Sequence, residues 1–171
     1  MALVLLRHTQ PDIAPGVCYG QTDLDVASTF DADAARVLTD LPSVSRIVSS
    51  PLMRCRKLAE FIAQAYALSV TEEPRLMEMD FGCWEGKAWS DIPRPEIDAW
   101  ANDFFHARPH GGESVAALTA RTRAALSDWR DETHTTLIVT HAGVIRAAHA
   151  QGETAEAFNF PIDFGEHVGL P

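Results

Sequence analysis

Three short apolar runs, each stopping abruptly at a polar residue, constrain the fold of this chain more than any other feature. Residues 2–6 run into Arg7-His8, the run Arg46-Ile47-Val48-Ser49 gives way to Ser50, and Thr136–Thr140 stops at His141. Runs dense in Leu, Ile and Val without alternation are the pattern of strands covered on both faces. Helical periodicity fills the intervals. After Ser50-Pro51, which reads as an N-cap serine and a proline at the first helical position, Leu52, Cys55, Leu58, Ala59, Ile62, Ala65 and Tyr66 recur at helical spacing. Phe30, Ala34, Val37, Leu38 and Leu41 mark a second helix. Val115, Leu118, Thr122, Ala125, Leu126 and Trp129 mark a longer one, closed by Asp131-Glu132, and Ala142-Gly143-Val144-Ile145 reads as a turn into another. Strands alternating with helices predict βαβ units and right-handed crossovers, hence an α/β chain with a mostly parallel central sheet in a three-layer αβα sandwich.

In such a sheet the ligand crevice lies beyond the carboxyl ends of the strands, where Arg7, His8, residues 50–54 and His141 would gather. Two arginines and two histidines, with the acids Glu78, Asp80 and Glu85 nearby, suit a phosphate. Arginine presents a planar fork of donors matched to phosphoryl oxygens, and Arg54, near the start of its helix, adds to the positive end of the dipole. Histidine can act as nucleophile or proton carrier near neutral pH, and a carboxylic acid is needed to protonate a leaving alcohol. A lone histidine at a strand end is usually an ordinary polar residue. Two at corresponding topological positions, each with an arginine partner, form a candidate site. His106, His110, His134, His149 and His167 carry no motif, and the residues alone leave open which of the three acids would serve.

With 24 acidic against 14 basic side chains, the net charge of −10 argues against nucleic acid or an anionic membrane as a partner. A small anion in a pocket of local arginines stays open, because such a pocket feels its nearest charges most strongly. A length of 171 residues, 46% of them apolar, fits a single domain over 1–171. The N-terminal apolar run is too short for a signal sequence or membrane span, so a cytoplasmic location is expected. Cys18, Cys55 and Cys83 match neither a disulfide framework nor a zinc pattern, and no cofactor or metal is expected. The loop over residues 9–25 is long for a connection that starts at His8, which marks it as functional. Residues 82–112, with Trp84, Trp89, Trp100, Phe104 and Phe105, read as a cap-like insertion over the crevice. That cap or an edge strand is where a homodimer contact would form.

These residues resemble a family. Arg7-His8-Thr9 looks like the Arg-His-Gly signature of the histidine phosphatase superfamily, in its phosphoglycerate mutase-like branch. SSPLMR (49–54) resembles its second-arginine motif and LMEMDFGCWEG (76–86) its acid-bearing segment. GGES (111–114) resembles its capping turn and THAGVIR (140–146) its second-histidine motif. With VCYGQTDLD (17–25), the chain looks most like the alpha-ribazole phosphatase subgroup. The resemblance implies a metal-independent phosphomonoesterase that acts on a small phosphorylated metabolite, such as alpha-ribazole phosphate, and releases inorganic phosphate. It implies that His8 attacks phosphorus and becomes a phosphohistidine. Arg7, Arg54 and His141 would bind the phosphoryl oxygens alongside His8, and Glu78 would be the acid.

Two positions depart from the family pattern. Thr9 stands for the usual glycine, which is tolerable where the backbone keeps a negative φ. Ala14 stands where many members have an asparagine, and Gln21 or Thr22 is the expected replacement as a substrate-binding group. Two rival readings are a mutase that returns the phosphoryl group to a sugar-acid, for which a longer C-terminal region is expected, and a phospholigand-binding module without turnover.

Overall fold

Leu3, Val4, Leu5 and Leu6 are all buried, although successive side chains of a strand point to opposite faces, so both faces of this strand are covered. The computed structural model describes residues 3–131 and 133–170. In chain order its elements are β1 (Leu3–Arg7), α1 (Phe30–Asp40), β2 (Arg46–Ser49), α2 (Met53–Tyr66), β3 (Val70–Glu72), α3 (Arg94–Asn102), α4 (Val115–Trp129), β4 (Thr136–Thr140), α5 (Ala142–His149) and β5 (His167–Leu170). Ala2 and Glu132, which the sequence assigns to a strand and to a helix end, lie outside the described residues.

The sheet order is β3-β2-β4-β1-β5, with β5 antiparallel to β1 and every other pairing parallel. Arg7 pairs with Thr140 and Ser49 with Val139, so β1, β4 and β2 end nearly level and deliver His8, His141 and Ser50 to one edge. Val4, Leu6, Ile47, Leu137 and Val139 pack on Val37 of α1 and on Leu58 and Ile62 of α2. Leu3, Leu5, Val48 and Ile138 pack on Leu118 and Leu126 of α4 and on Val144 and Ile145 of α5. These two packed faces make the three layers, and each fully buried Leu or Ile contributes about 1.5–3 kcal/mol.

One helix start differs from expectation. Leu52 is extended at φ −65°, ψ 137°, and α2 begins at Met53, leaving Pro51 outside the helix. The cap comes from the 9–25 loop, where Asp23 Oδ1 accepts the Met53 N–H at 2.7 Å. Ser50 Oγ reaches only the Leu52 N–H, at 3.4 Å and ahead of the helix, and lies 2.8 Å from His141 Nε2. Ser114 does cap α4, accepting the Ala117 N–H at 3.1 Å. The short strands β3 and β5 and the helix α3 left no clear trace in the sequence. The first has three residues, none buried, and the second is an edge strand interrupted by Gly169.

Residues 82–112 hold two single-turn 3₁₀ segments, Gly82–Trp84 and Trp89–Asp91, and α3. Aromatic rings pack edge to face here, Trp84 on Trp100 with centroids 5.7 Å apart and Phe81, just before the segment, on Trp89 at 5.5 Å. Gly82, at φ +49°, passes so close to the His110 carbonyl that a Cβ there would collide with it. The 9–25 loop is tied to this segment, since Cys18 N–H donates to the Lys87 carbonyl at 2.9 Å and Gly86 N–H to the Cys18 carbonyl at 2.7 Å. Among the described residues no helix is long and apolar enough to cross a membrane.

Candidate active site

His8 leaves β1 with its backbone N–H on the Thr140 carbonyl at 3.0 Å, which fixes it against the end of β4. Its Nδ1 lies 2.6 Å from the carbonyl oxygen of Thr9. A carbonyl only accepts, so Nδ1 carries the proton and Nε2 keeps the lone pair. Burial, followed by the charge of Arg54, holds the imidazole pKa well below its ordinary value. Arg7 acts in the same direction and the bond to Thr9 opposes it. His8 is therefore neutral at neutral pH, with the tautomer a nitrogen nucleophile needs. Thr9 keeps a negative φ, so the missing glycine costs the backbone nothing.

Arg54 is fully buried at the start of α2. Its guanidinium donates from Nη1 to the Thr22 carbonyl at 2.8 Å and from Nη2 to the Gly20 carbonyl at 2.6 Å. Arg7 donates from Nη1 to the Ile162 carbonyl at 2.8 Å and lies over the Phe164 ring, 3.8 Å from its centroid. The Nε–H of each arginine is buried with no acceptor. Orphaned charged donors in a dry site are costly, and an anion would satisfy them.

His141 is fully buried, and its ring meets His8 edge-on with centroids 5.1 Å apart. Burial first, then its neighbour His8 and the guanidinium groups of Arg54, Arg121 and Arg7, push its pKa far down, so it too is neutral. Ser50 Oγ holds its Nε2, and the Cys55 sulfur packs 3.4 Å from that nitrogen. Ser50 was expected at this edge with His141, whereas Cys55 read only as an apolar position of its helix and gave no sign of meeting the imidazole.

The three acids separate by their partners. Asp80 Oδ1 accepts the Gly82 N–H at 2.8 Å. Glu85 accepts the backbone N–H groups of Gln21 and Phe81 on Oε1, at 2.9 and 3.0 Å, and that of Thr22 on Oε2 at 2.7 Å. The Thr22 hydroxyl also donates to Glu85, while Gln21 Nε2 donates to the Glu78 carbonyl at 3.0 Å. Gln21 and Thr22 thus hold the turn whose carbonyls grip Arg54. Glu78 alone of the three acids lines the cavity described below, with Oε2 accepting the Gly143 N–H at 3.1 Å and Oε1 its neighbour Met79 N–H at 2.8 Å. Arg121 steadies this segment, donating to the Met77 and Glu78 carbonyls at 2.7 and 3.0 Å while it forks onto Glu113 at 2.6 and 2.9 Å. Arg121 belongs to no motif and gave no signal in the sequence, although its partner Glu113 lies in the GGES turn.

A cavity of about 630 Å³ opens over Arg7, Glu78 and Gly143. Its walls include Tyr19, Trp89, Trp100, Phe104 and Phe158, with Arg146 and Asn159 as further polar groups. Arg108 is exposed and outside the lining, and His110 is buried among Phe81, Trp84 and Trp100. Ala14 is exposed. Among the described residues no group of three or more His, Cys, Asp or Glu is arranged to hold a metal ion.

A mostly parallel sheet that brings two neutral histidines and two arginines to one edge, beside a carboxylate-lined cavity, defines a phosphoglycerate mutase-like α/β protein with a candidate anion site. Solved structures agree. A mycobacterial glucosyl-3-phosphoglycerate phosphatase superposes with a TM-score of 0.83 at 26% identity, over 98% of this chain and 88% of that one. A phosphoglycerate mutase from Thermus thermophilus superposes with a TM-score of 0.80 at 31% identity, over 99% and 92%. The adenosylcobalamin/alpha-ribazole phosphatase of Escherichia coli is 31% identical over 96% of this chain and 87% of its own length. The model of the histidine phosphatase superfamily (branch 1) matches residues 3–166, and the chain belongs to that family. With relatives named as phosphatases, this places it in the class of phosphoric monoester hydrolases.

Proposed function

We propose that the protein hydrolyses a small phosphomonoester through a phosphohistidine on His8. The observation that carries this reading is the buried, neutral His8, fixed by Thr9 as the Nε2 lone-pair tautomer, beside two arginines whose Nε–H donors lack an acceptor. In the first step Nε2 attacks phosphorus and the bond to the leaving oxygen breaks. Glu78 gives that oxygen its proton, and the alcohol departs. In the second step Glu78 takes a proton from water as its oxygen attacks phosphorus. The N–P bond breaks, and inorganic phosphate leaves with His8 restored. Arg7, Arg54 and His141 stabilise the equatorial oxygens, each such donor being worth roughly 3–4 kcal/mol when aimed at developing charge.

The substrate we favour is alpha-ribazole phosphate or a phosphomonoester of similar size. Similarity to an alpha-ribazole phosphatase supports it, as does a cavity of about 630 Å³ walled by Trp89, Trp100, Phe104 and Phe158, which is roomy and apolar for a compact sugar-acid phosphate. Residues 82–112 act in this reading as a cap that sets specificity. The free thiols of Cys18, Cys55 and Cys83 fit a reducing compartment, the cytoplasm.

The experiment is a substrate panel in excess chelator, with p-nitrophenyl phosphate, alpha-ribazole phosphate and 3-phosphoglycerate side by side and phosphoglycerate isomerisation assayed in parallel. Hydrolysis favouring alpha-ribazole phosphate supports the reading. Isomerisation outrunning hydrolysis would identify a mutase, and tight orthovanadate binding without any turnover would identify a binding module.

A further inference from the structure

Tyr19 lies at the junction of the anion site and the substrate cavity, and the reaction as described gives it no role. It lines the cavity with Arg7, Gly20 and Glu78. The Arg54 guanidinium carbon stands 5.1 Å from its ring centroid. The residues on either side are pinned. Cys18 is hydrogen-bonded through both N–H and carbonyl to the 82–112 segment, and the Gly20 carbonyl is held by Arg54 at 2.6 Å. A Cβ on Gly20 would collide with Glu85 and the Met79 carbonyl, so the turn passes too close to its neighbours to carry a side chain there. The tyrosine is thus presented by a turn hydrogen-bonded on both sides, next to both candidate phosphate-binding arginines. Gln21 and Thr22, the substrate-binding groups expected on this side of the pocket, spend their side chains on the Glu78 carbonyl and on Glu85 and are not among the cavity's lining residues.

We infer that Tyr19 is a further phosphate-binding residue, its phenolic O–H donating a hydrogen bond to a phosphoryl oxygen held by Arg7 and Arg54; this rests on the phosphatase reading above. A phenol suits the position chemically. Burial raises its pKa above the ordinary value, and although Arg7 and Arg54 oppose that rise, the net shift is upward. Near neutral pH the hydroxyl keeps its proton, so it offers a donor without setting a negative charge beside a phosphate dianion. No proton is transferred: the O–H bond stays intact while the phosphoryl oxygens gain charge.

The test compares the wild type with Tyr19→Phe and Tyr19→Leu in the full chain. It reads kcat and KM for p-nitrophenyl phosphate, the inhibition constant of orthovanadate, and the thermal midpoint. Loss of one donor to the reacting phosphoryl group should lower kcat/KM about 10- to 100-fold. Orthovanadate inhibition should weaken in parallel. Tyr19→Phe should be as impaired as Tyr19→Leu while melting like the wild type, because the ring and its contact with Arg54 are kept. Wild-type kcat/KM and orthovanadate inhibition in Tyr19→Phe, with only Tyr19→Leu impaired, would show that the ring packs and the hydroxyl does nothing, overturning the inference while leaving the phosphatase reading intact. A wild type without turnover would instead remove the reading on which the inference rests.

Discussion

The Gly143 N–H, at the start of α5, donates to Glu78 Oε2 at 3.1 Å, and a Cβ on Gly143 would run into the Glu78 carboxylate. The residue two places after His141 therefore controls where the candidate acid points. Gly143→Ala should displace Glu78 and lower kcat about 10- to 100-fold, since misplacing a catalytic group by an ångström costs on that order. KM should change little. Steady-state kinetics with an alkyl phosphate would show this, and an unchanged kcat would separate Glu78 from the chemistry.

Removing the acid itself should matter in proportion to the leaving group. Glu78→Gln is expected to slow hydrolysis of an alkyl phosphate by about 10²- to 10⁴-fold. An aryl phosphate, whose leaving phenolate needs less help, should suffer far less. A plot of rate against leaving-group pKa, steeper in the variant than in the wild type, checks the assignment.

Glu85 binds nothing in the proposed reaction, yet it fastens the turn that grips Arg54. Glu85→Ala would strip the acceptor from the N–H groups of Gln21, Thr22 and Phe81. Leaving such groups unsatisfied costs about 1–3 kcal/mol each when buried, so the thermal midpoint should fall. KM and the inhibition constant for inorganic phosphate should both rise roughly tenfold as Arg54 loosens. Melting curves and product-inhibition assays measure the two effects separately.

His8 and His141 are both buried and neutral, with folded-state pKa values held well below the ordinary one. The unfolded chain binds their protons as pH falls below about 6.5 while the folded chain does not, so stability rises with pH through that window and drops as pH falls toward the depressed folded values. Denaturant titrations at stepped pH should show His8→Gln and His141→Gln each flattening this acid-side decline. In activity, the acid limb assigned to His8 should lie below about pH 6.5. A limb above that value would mean a charged histidine in the free enzyme.

Most of the sheet and much of the site could be read from sequence, because local signals coincided with global placement. β1, β2 and β4 are apolar without alternation since both faces are buried, and the polar residue ending each run is the one the sheet presents at its edge. α1 and α4 followed from periodicity, while α5 was expected after a turn over residues 142–145 and instead begins at Ala142. The start of α2 did not follow, because Ser50 looked like a cap but reaches only Leu52 and His141, and the cap on Met53, Asp23, comes from a distant loop. β3 and β5 escaped because edge strands need little apolar content. The groups that organise the site, Arg121 on the Glu78 segment and Glu85 on the Arg54 turn, act through backbone carbonyls and N–H groups. A carbonyl is the same for every residue type, so such partnerships leave no mark on the sequence.

The central claim is that a phosphoryl group passes through His8. The direct measurement is rapid quenching of the wild type with a ³²P-labelled phosphomonoester in chelator, followed by testing the labelled protein for acid and alkali stability. The account predicts a phosphoenzyme stable in alkali, labile in acid and absent from His8→Ala, which should show no turnover. Turnover or labelling surviving in His8→Ala, or a phosphoenzyme labile in alkali, would contradict it.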